Sequence, residues 1–465
     1  MPQTMQWAHL YSEARPNDAP DKTPNSDTLR TSFMRDYDRI VFSSAFRRLQ
    51  NKTQVFPLPG PAFVHNRLTH SLEVASVGRT LGKAVGQQIA AMHKDLTPVG
   101  KEFYEYELAS VISAACLAHD IGNPPFGHSG EDAIRHYFNN LDEATQHRMK
   151  DQMSANQWAD FSRFEGNSNA FRILTHNFNE ASSAYNITQT TLAAIVKYPS
   201  TSLEGFNKAT GLISTKKSGF FDSERESWKA VAARLGLPKL EGFEEVYARH
   251  PFVFLTEAAD DICYRIIDME DAHRLGVISY REILDLFLPF FDDQQAYNTV
   301  DKVEQKLKGI IDPNRKVEYL RAVWIGRMID LCKEVFMQQE QQILNGGLQQ
   351  SLLDVLPERY TALLRTIDQQ SYRHIYNQKS VVEIEIAGFN VIGKLLEIFV
   401  EALVSSGNAK SEKVLQLIPA QFPVDKQNGS LYHNLQSVTD YISGMTDLYA
   451  IDLFRKITGI TIKEL

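Results

Sequence analysis

Cysteine is scarce in this chain: Cys116, Cys263 and Cys332 are the only three in 465 residues, and no C-x-x-C pair occurs. That leaves neither a disulfide framework nor a thiolate zinc site to build, and a reducing cytoplasm is the expected compartment. No run of 18 or more apolar residues appears, so no membrane-spanning segment is expected. The stretch from Met1 to Asp27 lacks the basic start and apolar core of a signal peptide. A surplus of positive charge is missing too: Lys+Arg 49 against Asp+Glu 57 gives a net charge of −8. This balance argues against a protein that chiefly coats nucleic acid or anionic membrane, although a local basic patch is compatible with it. Alternating apolar and polar runs are rare, and the best strand candidate, Val381 to Ile386, is short.

What the chain does have is apolar spacing of three and four. Leu68, Leu72, Val77, Leu81 and Val85 follow Asn66, a good N-cap, and Leu108, Val111, Ile112, Ala115 and Leu117 form a second apolar helix ending at His119. Similar patterns recur around 252–267, 283–291, 303–311, 319–335, 352–364 and 391–404, which makes the fold mainly α. Residues 1–28, polar and carrying three prolines between 13 and 28, are expected as a flexible N-terminal arm. A body over 29–311 follows, with a lid expected at 199–245, where Ser, Thr, Gly and Lys concentrate. Helical scaffold is expected over 312–465.

Several catalytic engines are excluded by spacing. Gly127-His128-Ser129-Gly130 places its second glycine one position too early for a nucleophile elbow. Gly78 to Lys83 fails the P-loop spacing, and neither G-x-G-x-x-G nor H-E-x-x-H occurs. Histidines, by contrast, cluster: His65, His70, His93, His119 and His128 fall within 64 residues. His119 and Asp120 end a helix apolar enough to be buried all round, and a buried His-Asp pair needs partners or a cation. The following Ile-Gly-Asn-Pro-Pro-Phe-Gly turn breaks the helix and starts a new one at about Ser129. On it His128 and Glu131 share a face, a candidate acid–base dyad beside a candidate metal site.

Two further ligands are needed for a mixed nitrogen and oxygen site. His70 sits on the first amphipathic helix between Leu68 and Leu72. Asp260, Tyr264 and Asp268 recur every four residues on one helix face amid Ile262, Ile266 and Ile267, so some of these acids approach a core. The spacing alone allows either Asp260 or Asp261 as the ligand.

The set His70, His119-Asp120, Asp260 resembles the HD-domain metal-dependent phosphohydrolases. Longer strings sharpen this: Asp38-Arg-Ile-Val-Phe-Ser-Ser-Ala-Phe-Arg-Arg-Leu49, His65-Asn-Arg-Leu-Thr-His70-Ser-Leu-Glu73, His119-Asp-Ile-Gly-Asn-Pro-Pro-Phe-Gly-His128-Ser-Gly-Glu131, Phe164-Glu-Gly-Asn167, Lys197-Tyr-Pro199 and Asp440-Tyr-Ile-Ser-Gly-Met-Thr-Asp447 are similar to those of the bacterial dGTP triphosphohydrolases. The matches run in order along the chain. Asn123 departs from the animal dNTP hydrolases of the superfamily, which carry another histidine there, and matches the bacterial subgroup.

The resemblance implies a helical HD core with an additional helical C-terminal region for base recognition and oligomerisation. His70, His119, Asp120 and Asp260 would bind one divalent ion (Mn, Mg, Fe, Co, Ni or Zn, with Mn or Mg favoured). His128 and Glu131 would be the catalytic pair, with His128 as acid or base. Arg67, Asn167, Lys197 and Tyr198 would meet phosphates, and Tyr264 and Asp268 the deoxyribose. Gln50 to Val55 and Asp440 to Tyr449 would meet the base. The implied reaction converts dGTP, or another dNTP, to deoxynucleoside and inorganic triphosphate. Implied partners are a homo-oligomer, hexameric in relatives, and an allosteric dNTP or single-stranded DNA near Arg47, Arg48 and Lys52. The competing classes are an HD phosphohydrolase acting on another nucleotide phosphoester and a non-catalytic nucleotide or nucleic-acid binder.

Overall fold

A computed structural model describes residues 4–16, 29–56, 64–178, 185–293, 297–405 and 409–460. Helices dominate, and among the described residues β-structure is limited to isolated bridges such as Thr53 with Asn66. The helices that build and frame the site are α1 (Arg67–Met92), α2 (Leu108–Ala118), α3 (His128–Asn139), α4 (Gly166–Thr175), α5 (Gln189–Ile195), α6 (Arg225–Arg234), α7 (Val253–Arg274), α8 (Pro313–Gln338), α9 (Glu358–Ser371), α10 (Lys379–Val404), α11 (Leu431–Ser443) and α12 (Asp447–Ile457).

Helix α1 starts where its cap dictates: Asn66 Oδ1 accepts from Thr69 N while Thr69 Oγ1 stands 3.1 Å from Asn66 N, a reciprocal capping box. Such caps are worth about 1 kcal/mol and fix the helix register. Val74, Val77, Leu81, Val85 and Ile89 of α1 pack with Val111, Ile112, Cys116 and Leu117 of α2 in the larger of two cores. Each such fully buried aliphatic contributes about 1.5–3 kcal/mol. Helix α7 threads this core with Phe254, Ile262 and Ile266, so its polar face must meet α1 and α2. The smaller core joins Ile134 and Phe138 of α3, Leu395 and Phe399 of α10, Val438 and Ile442 of α11 and Leu453 of α12.

Several expectations are corrected. Residues 4–16 are part of the body, not an arm: Met5, Trp7 and Leu10 are buried, and Arg15 pairs with buried Asp36 at 2.8 Å. Their apolar residues are too few to show a period. Residues 17–28 lie outside the described residues. The segment at 199–245, expected as a lid, contributes to the body as well as to the surface. Some of its polar residues are buried hydrogen-bonders, such as Ser202 Oγ donating to Asp160 at 2.6 Å, and Trp228 of α6 lies in the larger core. The strand candidate at 381–386 is helical. Val381, Val391 and Leu395 are buried along one side of α10, and that tertiary demand overrides local β-propensity. Both cores draw on residues from either side of 312: Trp324 and Ile367 join the larger core, while Phe126, Ile134 and Phe164 join the C-terminal helices.

Candidate active site

The pocket lies where α1, α2 and α7 converge beneath the 119–128 turn, and its volume is about 570 Å³, within the usual range for ligand sites. At its floor, His70 of α1, His119 at the end of α2 and Asp260 of α7 bring their ligand atoms within 4.8 Å of one another. His70 Nε2 is 3.0 Å and His119 Nε2 3.5 Å from Asp260 Oδ1. The His119 ring is oriented by its neighbour: Nδ1 donates to the Cys116 carbonyl at 2.6 Å, which leaves Nε2 facing the pocket. Among the described residues, buried His70 Nδ1 has no hydrogen-bond partner. Two imidazoles and a carboxylate at these separations suit a divalent ion of the borderline or hard type.

Asp120 stands beside this group rather than within it. Its Oδ1 is 3.6 Å from His119 Nε2 and accepts from Asn123 Nδ2, and its Oδ2 accepts from Arg67 Nη1 at 2.8 Å. Burial would push the Asp120 carboxyl up, but Arg67 and His119 hold it below its ordinary value. Asp260 is held well below its own for the same kind of reason: burial opposes, and the His119 and His70 side chains prevail. His119 in turn is lifted to about 9 by Asp120 and Asp260 against the effect of burial. The adjacent Asp261 faces Lys197 and Glu257 instead, and burial raises it to about 7. Between the two aspartates, only Asp260 meets the histidines.

At the rim, His128 opens α3. Its side chain is 79% exposed, while that of Glu131, one turn on, is 1% exposed. His128 Nδ1 lies 3.0 Å from Glu131 Oε2, and the other Glu131 oxygen accepts from Gly166 N at 2.7 Å. The carboxylate is thereby locked, and its hydrogen bond raises the His128 pKa. The approach to His128 is unusual backbone, with φ of 62° at Phe126 and 57° at Gly127. A non-glycine residue there stores about 1–3 kcal/mol unless its surroundings enforce it. A Cβ at 127 would come 2.4 Å from Arg67 Nη2, so that guanidinium would have to shift to admit any other residue.

The remaining expected residues converge on the same pocket. Arg67, Asn167, Lys197, Tyr198, Tyr264 and Asp268 all line it. Lys197 Nζ rests 3.1 Å from Glu257, which with Tyr198 holds its pKa well above the ordinary value despite burial. Asn167 Nδ2 donates to Glu165 at 2.6 Å. Asp268, raised to about 7 by burial, accepts from Tyr376 at 2.8 Å. Two lining residues escape a reading of the sequence. Lys217, 2.9 Å from Glu165, comes from the segment expected as a lid, and Tyr376 comes from the turn after α9. Neither carries a periodic or motif signal.

Two placements differ from expectation. Thr53, Gln54 and Val55 line the pocket, but no residue of 440–449 does. Asp440 is instead buried against Arg172 at 2.8 Å. Of the basic cluster, Arg47 is exposed and Arg48 half-buried, whereas Lys52 is 2% exposed and donates to the carbonyls of Asn123 and Ser443. Burial and neighbouring Arg48 lower its pKa to about 7.

The HD domain family matches residues 67–198, the stretch that supplies two of the three clustered ligand groups, and the phosphohydrolase-associated domain family matches 355–456. A deoxyguanosinetriphosphate triphosphohydrolase-like protein of Synechocystis sp. is 38% identical over 98% of this chain and 100% of its own length. One of Pseudomonas aeruginosa is 35% identical over 94% of this chain and 95% of its own. A deoxyguanosinetriphosphate triphosphohydrolase of Yersinia enterocolitica is 29% identical over 96% and 97%. With a helical fold and a clustered histidine–aspartate floor, the chain belongs to the deoxyguanosinetriphosphate triphosphohydrolase-like family of HD-domain phosphohydrolases.

Proposed function

We propose that this protein hydrolyses deoxynucleoside triphosphates, dGTP foremost, to the deoxynucleoside and inorganic triphosphate. The observation that carries this reading is the meeting, in one pocket, of the His70, His119 and Asp260 group, the His128–Glu131 pair and three cations, Arg67, Lys197 and Lys217. His70, His119 and Asp260, with Asp120 beside them, would hold one divalent ion, Mn²⁺ or Mg²⁺ in preference. When bound, that ion supplies positive charge for the α-phosphate region and its attacking water.

The side chains do the rest. Arg67, Lys197 and Lys217 spread positive charge along the triphosphate, and Asn167 and Tyr198 orient it. Water oxygen bonds to the α-phosphorus as the bond from phosphorus to the 5′-oxygen breaks. The 5′-oxygen, a poor leaving group, takes its proton from His128, whose bond to Glu131 keeps it protonated further into the neutral range than an ordinary histidine. Asp268 accepts from the 3′-hydroxyl, Tyr264 crowds the 2′ position, and Thr53 to Val55 meet the base. The expected homo-oligomer and regulatory nucleotide or single-stranded DNA belong to the same proposal.

Phosphorus NMR of a reaction with dGTP and Mn²⁺ tests it. Intact triphosphate is the expected product, and release of orthophosphate alone would overturn the reading in favour of another phosphoester hydrolase. Repeating the assay with the other three dNTPs, singly and in pairs, reports base preference and activation together.

A further inference from the structure

The turn that delivers His128 is held from the far end of the chain. Asp447 opens α12 and is 3% exposed. Its two carboxylate oxygens accept two backbone N–H groups from two separate loops: Oδ2 from Thr53 at 2.8 Å and Oδ1 from Phe126 at 2.9 Å. Both donor residues line the pocket, Thr53 in the segment before α1 and Phe126 two residues before His128. Beside this contact, buried Lys52 joins the same three segments, donating to Asn123 O at 2.5 Å and Ser443 O at 2.9 Å.

This tie falls where the backbone of the site is most unusual. Phe126 and Gly127 adopt positive φ, which an L-residue such as Phe126 abandons unless something outside the turn enforces it. A charged acceptor binds an amide more strongly than a neutral one, and an ionised carboxylate serves two amides at once. An asparagine of the same shape offers one oxygen and turns an NH₂ group toward the second amide.

We infer that Asp447 is a positioning residue for His128 and for the Thr53 edge of the pocket, so that the C-terminal region acts on the chemical step through one carboxylate. The inference rests on the role proposed for His128.

Asp447→Asn and His128→Ala, with Asp452→Ala as a control on the exposed side of the same helix, separate the outcomes. Asp447→Asn is expected to lower kcat for dGTP by about 10- to 100-fold, the scale of a small misplacement of a reacting group, with KM and Mn²⁺ affinity by calorimetry within about threefold. Hydrogen exchange of peptides covering 123–131 rises while that of α11 stays unchanged, and Asp452→Ala matches the wild type. Wild-type kcat in Asp447→Asn, with His128→Ala inactive, overturns the inference alone. So does a kcat loss that merely tracks lost Mn²⁺-binding protein with no local change in exchange. An active His128→Ala overturns the proton-donor reading and this inference with it.

Discussion

The floor and the rim of the pocket each pair histidine with carboxylate, yet they are built in opposite ways. At the floor the His70 side chain is 1% and that of His119 14% exposed, and each ligand projects from a long helix or the end of one. At the rim His128 is 79% exposed and depends on a single carboxylate beneath it. Depth suits the floor for holding a cation, because two mostly buried imidazoles and a carboxylate held in its ionised form converge there. Under the proposed function, exposure suits the rim for moving a proton, because the ring faces the solvent from a tethered position.

The largest expected effect comes from breaking the floor. His119→Ala or Asp260→Ala should weaken Mn²⁺ binding by about 100-fold or more, since even outer partners of a metal site cost 10- to 100-fold, and activity should fall to background. His128→Ala should lower kcat by about 10²- to 10⁴-fold while leaving Mn²⁺ binding intact by calorimetry. Equal loss of metal binding in both variants would erase the distinction between floor and rim.

Glu131→Gln sharpens the rim. The carboxylate raises the pKa of His128, so its removal lets that pKa fall toward the ordinary value. A proton donor is then lost at lower pH, and the alkaline limb of the kcat/KM profile should move down in pH. An unmoved limb would show that another group titrates there.

Packing behind the rim gives a smaller effect. A Cβ at Gly388 of α10 would lie 2.3 Å from Phe126 Cγ, whereas one at Gly393 meets nothing within 4 Å. Gly388→Ala should therefore cost about 1–3 kcal/mol and lower Tm and kcat together. Gly393→Ala should raise Tm slightly, by up to about 1 kcal/mol of helix propensity.

The smallest effect concerns a buried acid away from the chemistry. Burial raises Asp160 to about 8, though Ser202, Tyr432 and Asp222 N donate to it. With the folded pKa above the unfolded one, its contribution to stability is complete in acid and is lost as pH rises toward and through about 8. Asp160→Asn, which mimics the neutral form, should flatten the decline of Tm over that window. A decline identical to that of the wild type would assign it to other groups.

The same contrast explains what the sequence made legible. The floor was readable because His70, His119 and Asp260 ride on helices whose apolar period is plain, and that period sets which face meets the core. The rim was readable only as a dyad spacing, since three residues on one turn must share a face. Its supports were not readable. Asp447 lies 321 residues from Phe126, and a carboxylate that caps two backbone amides leaves no periodic trace. Lys217 and Tyr376 were hidden for the same reason, in segments shaped by side-chain hydrogen bonds rather than by apolar stripes. The N-terminal residues Met5, Trp7 and Leu10 fill gaps in a core that others define, so too few of them exist to form a pattern.

The scarcity of cysteine gains a practical meaning from where the three thiols lie. All are buried, and burial raises each thiol pKa, so the reactive thiolate is suppressed. The folded protein should therefore react slowly with thiol-directed probes. One cysteine introduced at an exposed position away from the pocket, such as Ala144, would serve as the labelling handle.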